Sequence, residues 1–187
     1  MGSLLLCVQL ALLCTLSVKA DVQPQKDFNL QKFAGKWYRV GLAYDSPAFM
    51  PYRDKLRVAM GILRPMDNGD VNVTMWSLSL SPRSPGCYSQ VYVYEKMAVP
   101  GLFSYFSTRH NRVKDITIVE TNYNEYALVL KHKNRLDKDF TQVALYGRTL
   151  KLRPELVEKF RQFALSRGFS KESIVIPPAE DDCPNEG

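Results

Sequence analysis

The chain has 187 residues, a formal net charge of +6 and an apolar fraction of 45%. Such a length and composition fit one globular domain with its own core. Beyond residues 1–20 no stretch approaches the roughly 20 consecutive apolar residues a membrane-spanning helix requires, so stable membrane insertion is not expected. The basic residues are scattered, so no nucleic-acid partner is expected either.

Residues 1–20 read as a secretory leader, with an apolar core from Leu4 to Leu16 and the permissive residues Val18 and Ala20 before a cleavage point at Asp21. No Lys or Arg precedes that core, which keeps a retained anchor as the competing reading. A single domain then spans 21–187 and is expected to be secreted and extracellular. Cys7 and Cys14 leave with the leader, and Cys87 and Cys183 remain as an even pair. In an oxidising compartment one disulfide is the economical expectation, with a free reactive thiol as the alternative.

Residues 21–31 show no period and are expected to wrap the outside of the domain. Gly35-Lys36-Trp37 then opens the first alternating run. Glycine permits close backbone approach and Trp is the largest apolar side chain, so the pair reads as a plug at one end of a hollow structure. Period-two patterning predicts strands at 36–44, 56–64, 70–79, 87–95, 102–107, 113–121, 126–132 and 140–148. Asp67-Asn68-Gly69 and Pro100-Gly101 supply turn chemistry between them.

The connector from Asp45 to Lys55 is longer and carries Phe49, Met50 and Tyr52. It is a candidate lid over an opening, or a docking loop for a cell-surface receptor or other protein partner. Lys131, Lys133, Arg135 and Lys138 fall at an expected hairpin tip, either as an anion-attracting patch or as a solvated loop. Asn72-Val73-Thr74 is a glycosylation acceptor site.

One helix follows, with Pro154 and Glu155 in its first turn, an apolar stripe of Leu156, Val157, Phe160, Phe163 and Ala164, and Gly168 at its stop. Ile174-Val175-Ile176 reads as a short last strand. Eight sequential antiparallel strands bury their edges by closing, so the expected fold is all-β: an eight-stranded up-and-down barrel with one C-terminal helix packed outside. A sandwich is the competing architecture. Eight strands enclose either a packed core or one small ligand.

Alternation from Trp37 places Arg39, Gly41 and Ala43 inward. On the other strands the more apolar face gives Val58 and Met60, Val71, Val73 and Met75, Tyr92, Phe103 and Tyr105, Ile116 and Ile118, Ala127 and Val129, and Ala144 and Tyr146. A lining of Met, Val and aromatics suits an apolar pocket. The small Gly41 and Ala43 and the polar Arg39 favour a cavity over a solid core.

Thr121-Asn122-Tyr123 sits at the turn after the sixth strand, and Arg148 closes the eighth beside the first. With Gly35 and Trp37 these stretches resemble the three signature regions of the lipocalin family, with Asn122 where Asp is usual. The resemblance covers the whole chain after the leader. It implies a barrel closed by Gly35, Trp37 and Arg148 that carries a small hydrophobic ligand such as a retinoid, fatty acid or prostanoid, with no cofactor.

Gly-Leu-Ala at 41–43, Val-Asn-Val-Thr at 71–74 and Leu-Tyr-Gly-Arg-Thr at 145–149 are most similar to the prostaglandin D synthase branch and its neighbours, alpha-1-microglobulin and the epididymal lipocalins. That enzyme's nucleophilic cysteine follows a methionine matching Met60. Here Gly61 stands in its place and offers no thiolate. No metal set or other nucleophile motif appears, and His110 and His132 lie near strand ends. The expectation is a carrier rather than an enzyme, with prostaglandin-H2 isomerase chemistry and a protein-interaction module as the alternatives.

Overall fold

Ten residues from Gly35 to Tyr44 form a continuous strand, β1, and the rest of the sheet is built outward from both of its edges. The structure, a computed structural model, describes residues 22–44, 46, 49–81, 84–108, 111–133, 141–180 and 183. The further strands are β2 (Ala59–Pro65), β3 (Val71–Ser81), β4 (Ser84–Lys96), β5 (Leu102–Ser107), β6 (Arg112–Thr121), β7 (Tyr126–Lys133) and β8 (Gln142–Gly147). Each pairs antiparallel with the next, and β1 pairs with both β8 and β2. The eight strands therefore close into a barrel, as the alternation predicts, and closure removes the exposed edges an open sheet would carry.

The turn chemistry behaves as its residue types require. Gly69 and Gly101 both adopt φ of +89°, a conformation that side chains disfavour. Asp70 extends the first of these turns by accepting a hydrogen bond from the Lys96 amide at 2.9 Å, which ties the β2–β3 hairpin to the end of β4.

Residues 22–29 cross the base of the barrel. The Gln25 amide donates to the Ile118 carbonyl at 2.8 Å, and the Gln25 side-chain oxygen accepts from the Thr121 amide at 3.0 Å. A one-turn helix, α1 (Leu30–Phe33), follows. Asn29 caps it by accepting from the Lys32 amide at 3.0 Å. Four residues are too few to show a helical period in the amino-acid sequence.

The C-terminal helix, α2 (Pro154–Ser166), buries Leu156, Phe160 and Ala164 against Val40, Ala43, Leu128, Leu130, Val143 and Leu145 on the barrel exterior. Glu120 of β6 receives hydrogen bonds from Lys159 of α2 and from the Tyr126 hydroxyl, pinning the helix to the wall. The chain then adds β9 (Ile174–Val175) beside β1. Cys87 on β4 bonds to Cys183, with the Cα atoms 5.6 Å apart, so the tail is stapled across the barrel.

Three expectations are corrected. The β1–β8 register slips between Arg39 and Gly41, leaving Val40 as an extra residue. A bulge of this kind reverses every later side chain on its strand. Leu42 therefore joins the interior, while Gly41 and Ala43 face the helix. A Cβ on Gly41 would lie 3.0 Å from the Phe160 ring.

On β2 the inward set is the opposite of the one expected. Gly61 pairs with Trp37 and Met75, both interior residues, and Met60 pairs with Tyr38 and Trp76 on the outer face. Met60 and Val58 are buried, but neither lines a cavity. The third correction concerns Lys131, which lies inside the barrel rather than in a surface patch. Of the other members of that basic cluster, Arg135 and Lys138 lie outside the described residues.

Candidate functional site

The base of the barrel is sealed by Trp37, whose indole N–H donates to the Phe33 carbonyl at 2.8 Å. The Arg148 guanidinium lies 3.8 Å from the centre of the Trp37 ring. Its Nε donates to the Tyr123 carbonyl at 2.9 Å and its Nη1 to the Lys36 carbonyl at 2.7 Å. The turn at Thr121-Asn122-Tyr123 presents that carbonyl. Asn122 accepts from the amides of Glu125 and Tyr126, and Tyr123 is held at φ of +67°. The Asn122 side-chain oxygen is thus the acceptor that holds this turn together.

Above this floor lies a small apolar chamber of about 40 Å3. Trp37, Val73, Met75, Phe103, Ile116, Ile118, Val129 and Tyr146 line it, all of them expected from alternation. Leu30 and Phe33 complete its base and come from α1.

The upper cavity is larger, about 660 Å3, and chemically different. The expected Arg39, Tyr92 and Tyr105 line it, together with Met75. So do Lys55, Arg57, Lys114, Lys131, Tyr88 and Tyr94, which were not foreseen. Among the described residues, no Asp or Glu lines it. The connector between β1 and β2, a 3₁₀ turn over Met50–Lys55, contributes Phe49, Tyr52 and Lys55 to the rim. Phe49 packs on Tyr44 at 5.4 Å between ring centres, while Tyr52 stays 61% exposed.

Met75, Tyr94 and Lys131 border both cavities and form the waist between them. The Lys131 ammonium donates to the Tyr94 hydroxyl at 3.3 Å. Burial opposes its charge, but the phenols of Tyr146, Tyr94 and Tyr105 outweigh that and raise its pKa, so it is an ammonium at neutral pH. Burial also raises the pKa values of Tyr92 and Tyr94 and pushes Tyr105 up to about 12. These three phenols are therefore protonated at neutral pH, and their oxygens can solvate the Lys131 ammonium without neutralising it. The Nε of Arg39 is buried without a hydrogen-bond partner among the described residues. Two cations thus sit in a cup whose described lining holds no carboxylate, an arrangement that favours an anion arriving from outside.

Three of the unforeseen lining residues lie one alternation step beyond those expected: Tyr94 after Tyr92, Lys114 before Ile116 and Lys131 after Val129. Choosing the more apolar face of each strand recognises the chamber but stops short of its polar rim.

A family model described as the Lipocalin / cytosolic fatty-acid binding protein family matches residues 34–181. The chain belongs to the lipocalin family. This lipocalin is 35% identical over 186 residues to a protein named Lipocalin from Rhinella marina, covering all of both chains. It is 34% identical to prostaglandin-H2 D-isomerase of Equus caballus, over 96% of this chain and 93% of that one. Among solved structures, the siderocalin Ex-FABP, described as functioning through dual ligand specificities, superposes with a TM-score of 0.67 at 23% identity. That match covers 80% of the lipocalin and 95% of the siderocalin, and supports the shared fold.

Relatives named as isomerases give the position after Met60 particular interest. Gly61 faces the lumen, and a Cβ built there would lie 2.4 Å from the Met75 sulfur. The space a side chain would take at position 61 is filled by a thioether from the neighbouring strand.

Proposed function

We propose that this lipocalin is a secreted carrier of a small amphiphile, with an apolar limb in the deep chamber and an acidic head in the upper cavity. The observation that carries the reading is the pairing of an apolar chamber with Arg39 and Lys131 directly above it, and with no carboxylate among the described lining residues. Apolar burial at about 25 cal/mol per Å2 supplies affinity, and the two cations orient the head. Retinoic acid, fatty acids and prostanoids are of the right chemical class.

Titration of these acids against Trp fluorescence is the test, because Trp37 forms part of the chamber. Matched alcohols should bind more weakly. If no acid in the panel binds and native mass spectrometry of the secreted protein finds no copurifying ligand, the carrier reading fails.

Isomerisation of prostaglandin H2 is the second reading, supported by the names of several relatives. Against it stands Gly61, which brings no thiol to the lumen. Turnover of prostaglandin H2 above its spontaneous rate would favour the enzyme. Export itself follows from the leader, and N-terminal sequencing of secreted protein should begin at Asp21. Asn72 lies between the inward residues Val71 and Val73 and so points outward, where a glycan fits. Mass before and after deglycosylation tests its occupancy.

A further inference from the structure

We infer that the contact between Gly61 and Met75 sets how far a ligand's apolar limb reaches into the barrel, and selects thin limbs over bulky ones. The inference rests on the carrier reading and adds to it a residue pair that determines specificity.

Gly61 and Met75 stand directly opposite each other on β2 and β3. A Cβ on Gly61 would approach the Met75 sulfur to 2.4 Å, well inside van der Waals contact, so the thioether rests in the recess that the missing side chain leaves. Met75 also borders both cavities, so its position sets the width of the waist. While it lies back against Gly61 the passage past it is open. Any larger residue at 61 pushes it sideways into the lumen.

Methionine is unbranched and adapts its shape, so it yields more readily to a slender chain than to a bulky ring system. The chamber below, about 40 Å3, holds roughly three water-sized groups. The favoured ligand is therefore an acid whose head meets Lys131 at the waist and whose short, unbranched limb passes Met75.

The experiment is calorimetric titration of the full-length secreted protein and its variants with saturated acids from butanoate to hexadecanoate, and with adamantane-1-carboxylate as a bulky acid. Gly61→Ala should weaken the best linear acid by about tenfold, a size common for contacting pairs. Met75→Ala should shift the preference to longer chains and admit the adamantane acid. The double variant should recover the binding that Gly61→Ala loses. Circular dichroism melts of all four proteins separate lost folding from lost binding, and should Gly61→Ala not fold, the shift in Met75→Ala alone carries the test.

Identical chain-length profiles in the wild type and Met75→Ala would overturn the inference. A double variant no better than Gly61→Ala would also overturn it. Absence of binding by every acid in every folded variant would overturn the carrier reading itself, a different and separable result.

Discussion

The Arg148 guanidinium stacks 3.8 Å from the centre of the Trp37 ring while its N–H groups tie down backbone carbonyls from β1 and from the β6–β7 turn. One side chain thereby joins the first strand, the end of β8 and the base of the barrel. Its planar fork is what makes this geometry feasible, since a lysine has neither the plane nor the fixed donors.

Arg148→Met should lower stability by about 1–3 kcal/mol, because it removes a cation–π contact and leaves carbonyls without their donor. Arg148→Lys should rescue only part of the loss. Trp37→Ala should cost about 3–5 kcal/mol by opening a cavity at the base. Urea denaturation of the three variants checks the order.

The Cys87–Cys183 bridge closes a sequence separation of 96 residues. Replacing both cysteines by serine should cost about 2–5 kcal/mol, chiefly through the freer unfolded chain. Thermal melts with and without reductant should give matching losses for wild type and none for the double variant.

Lys131 is the cation at the waist, and its loss should separate ligands by charge. Lys131→Met keeps the length and apolar stem but removes the head. Binding of a carboxylate ligand should fall about tenfold or more, from losing a charge-assisted contact, while the matched alcohol should change little. Arg39→Met should act in the same direction. Equal losses for acid and alcohol would show that the site reads shape alone.

Glu120 couples the helix to the barrel in a pH-dependent way. Burial opposes its carboxylate, but hydrogen bonds from Lys159 and Tyr126 outweigh burial and hold its pKa below the ordinary value. The folded state therefore releases the proton more readily than the unfolded chain. The stabilisation is complete above the unfolded pKa and fades as pH falls through the folded one. Glu120→Gln should cost up to about 1 kcal/mol at pH 7, as partly exposed pairs do. The difference from wild type should vanish once both chains are measured below the folded pKa.

Much of this molecule is written locally. Alternation locates all eight barrel strands, glycines mark the turns at Gly69 and Gly101, and the stripe from Leu156 to Ala164 announces the helix. Gly35, Trp37, Thr121 and Arg148 reveal the family because the clamp they build constrains each residue chemically. The short helix before β1 escapes notice because four residues carry no period.

What the amino-acid sequence determined alone is the set of strands, their order and the closed barrel, since these follow from period-two patterning and the need to bury edges. Only the tertiary structure decided which way several side chains face. One extra residue at Val40 turns Gly41 and Ala43 out of the lumen, and pairing with Trp37 and Met75 turns Gly61 in. The reason is the period itself: at two residues per repeat, a shift of one exchanges inside for outside, and that shift is fixed by partners far away in the chain. The same long-range pairing draws Lys131 from an expected surface patch into the waist of the cup, between the apolar chamber and the upper cavity.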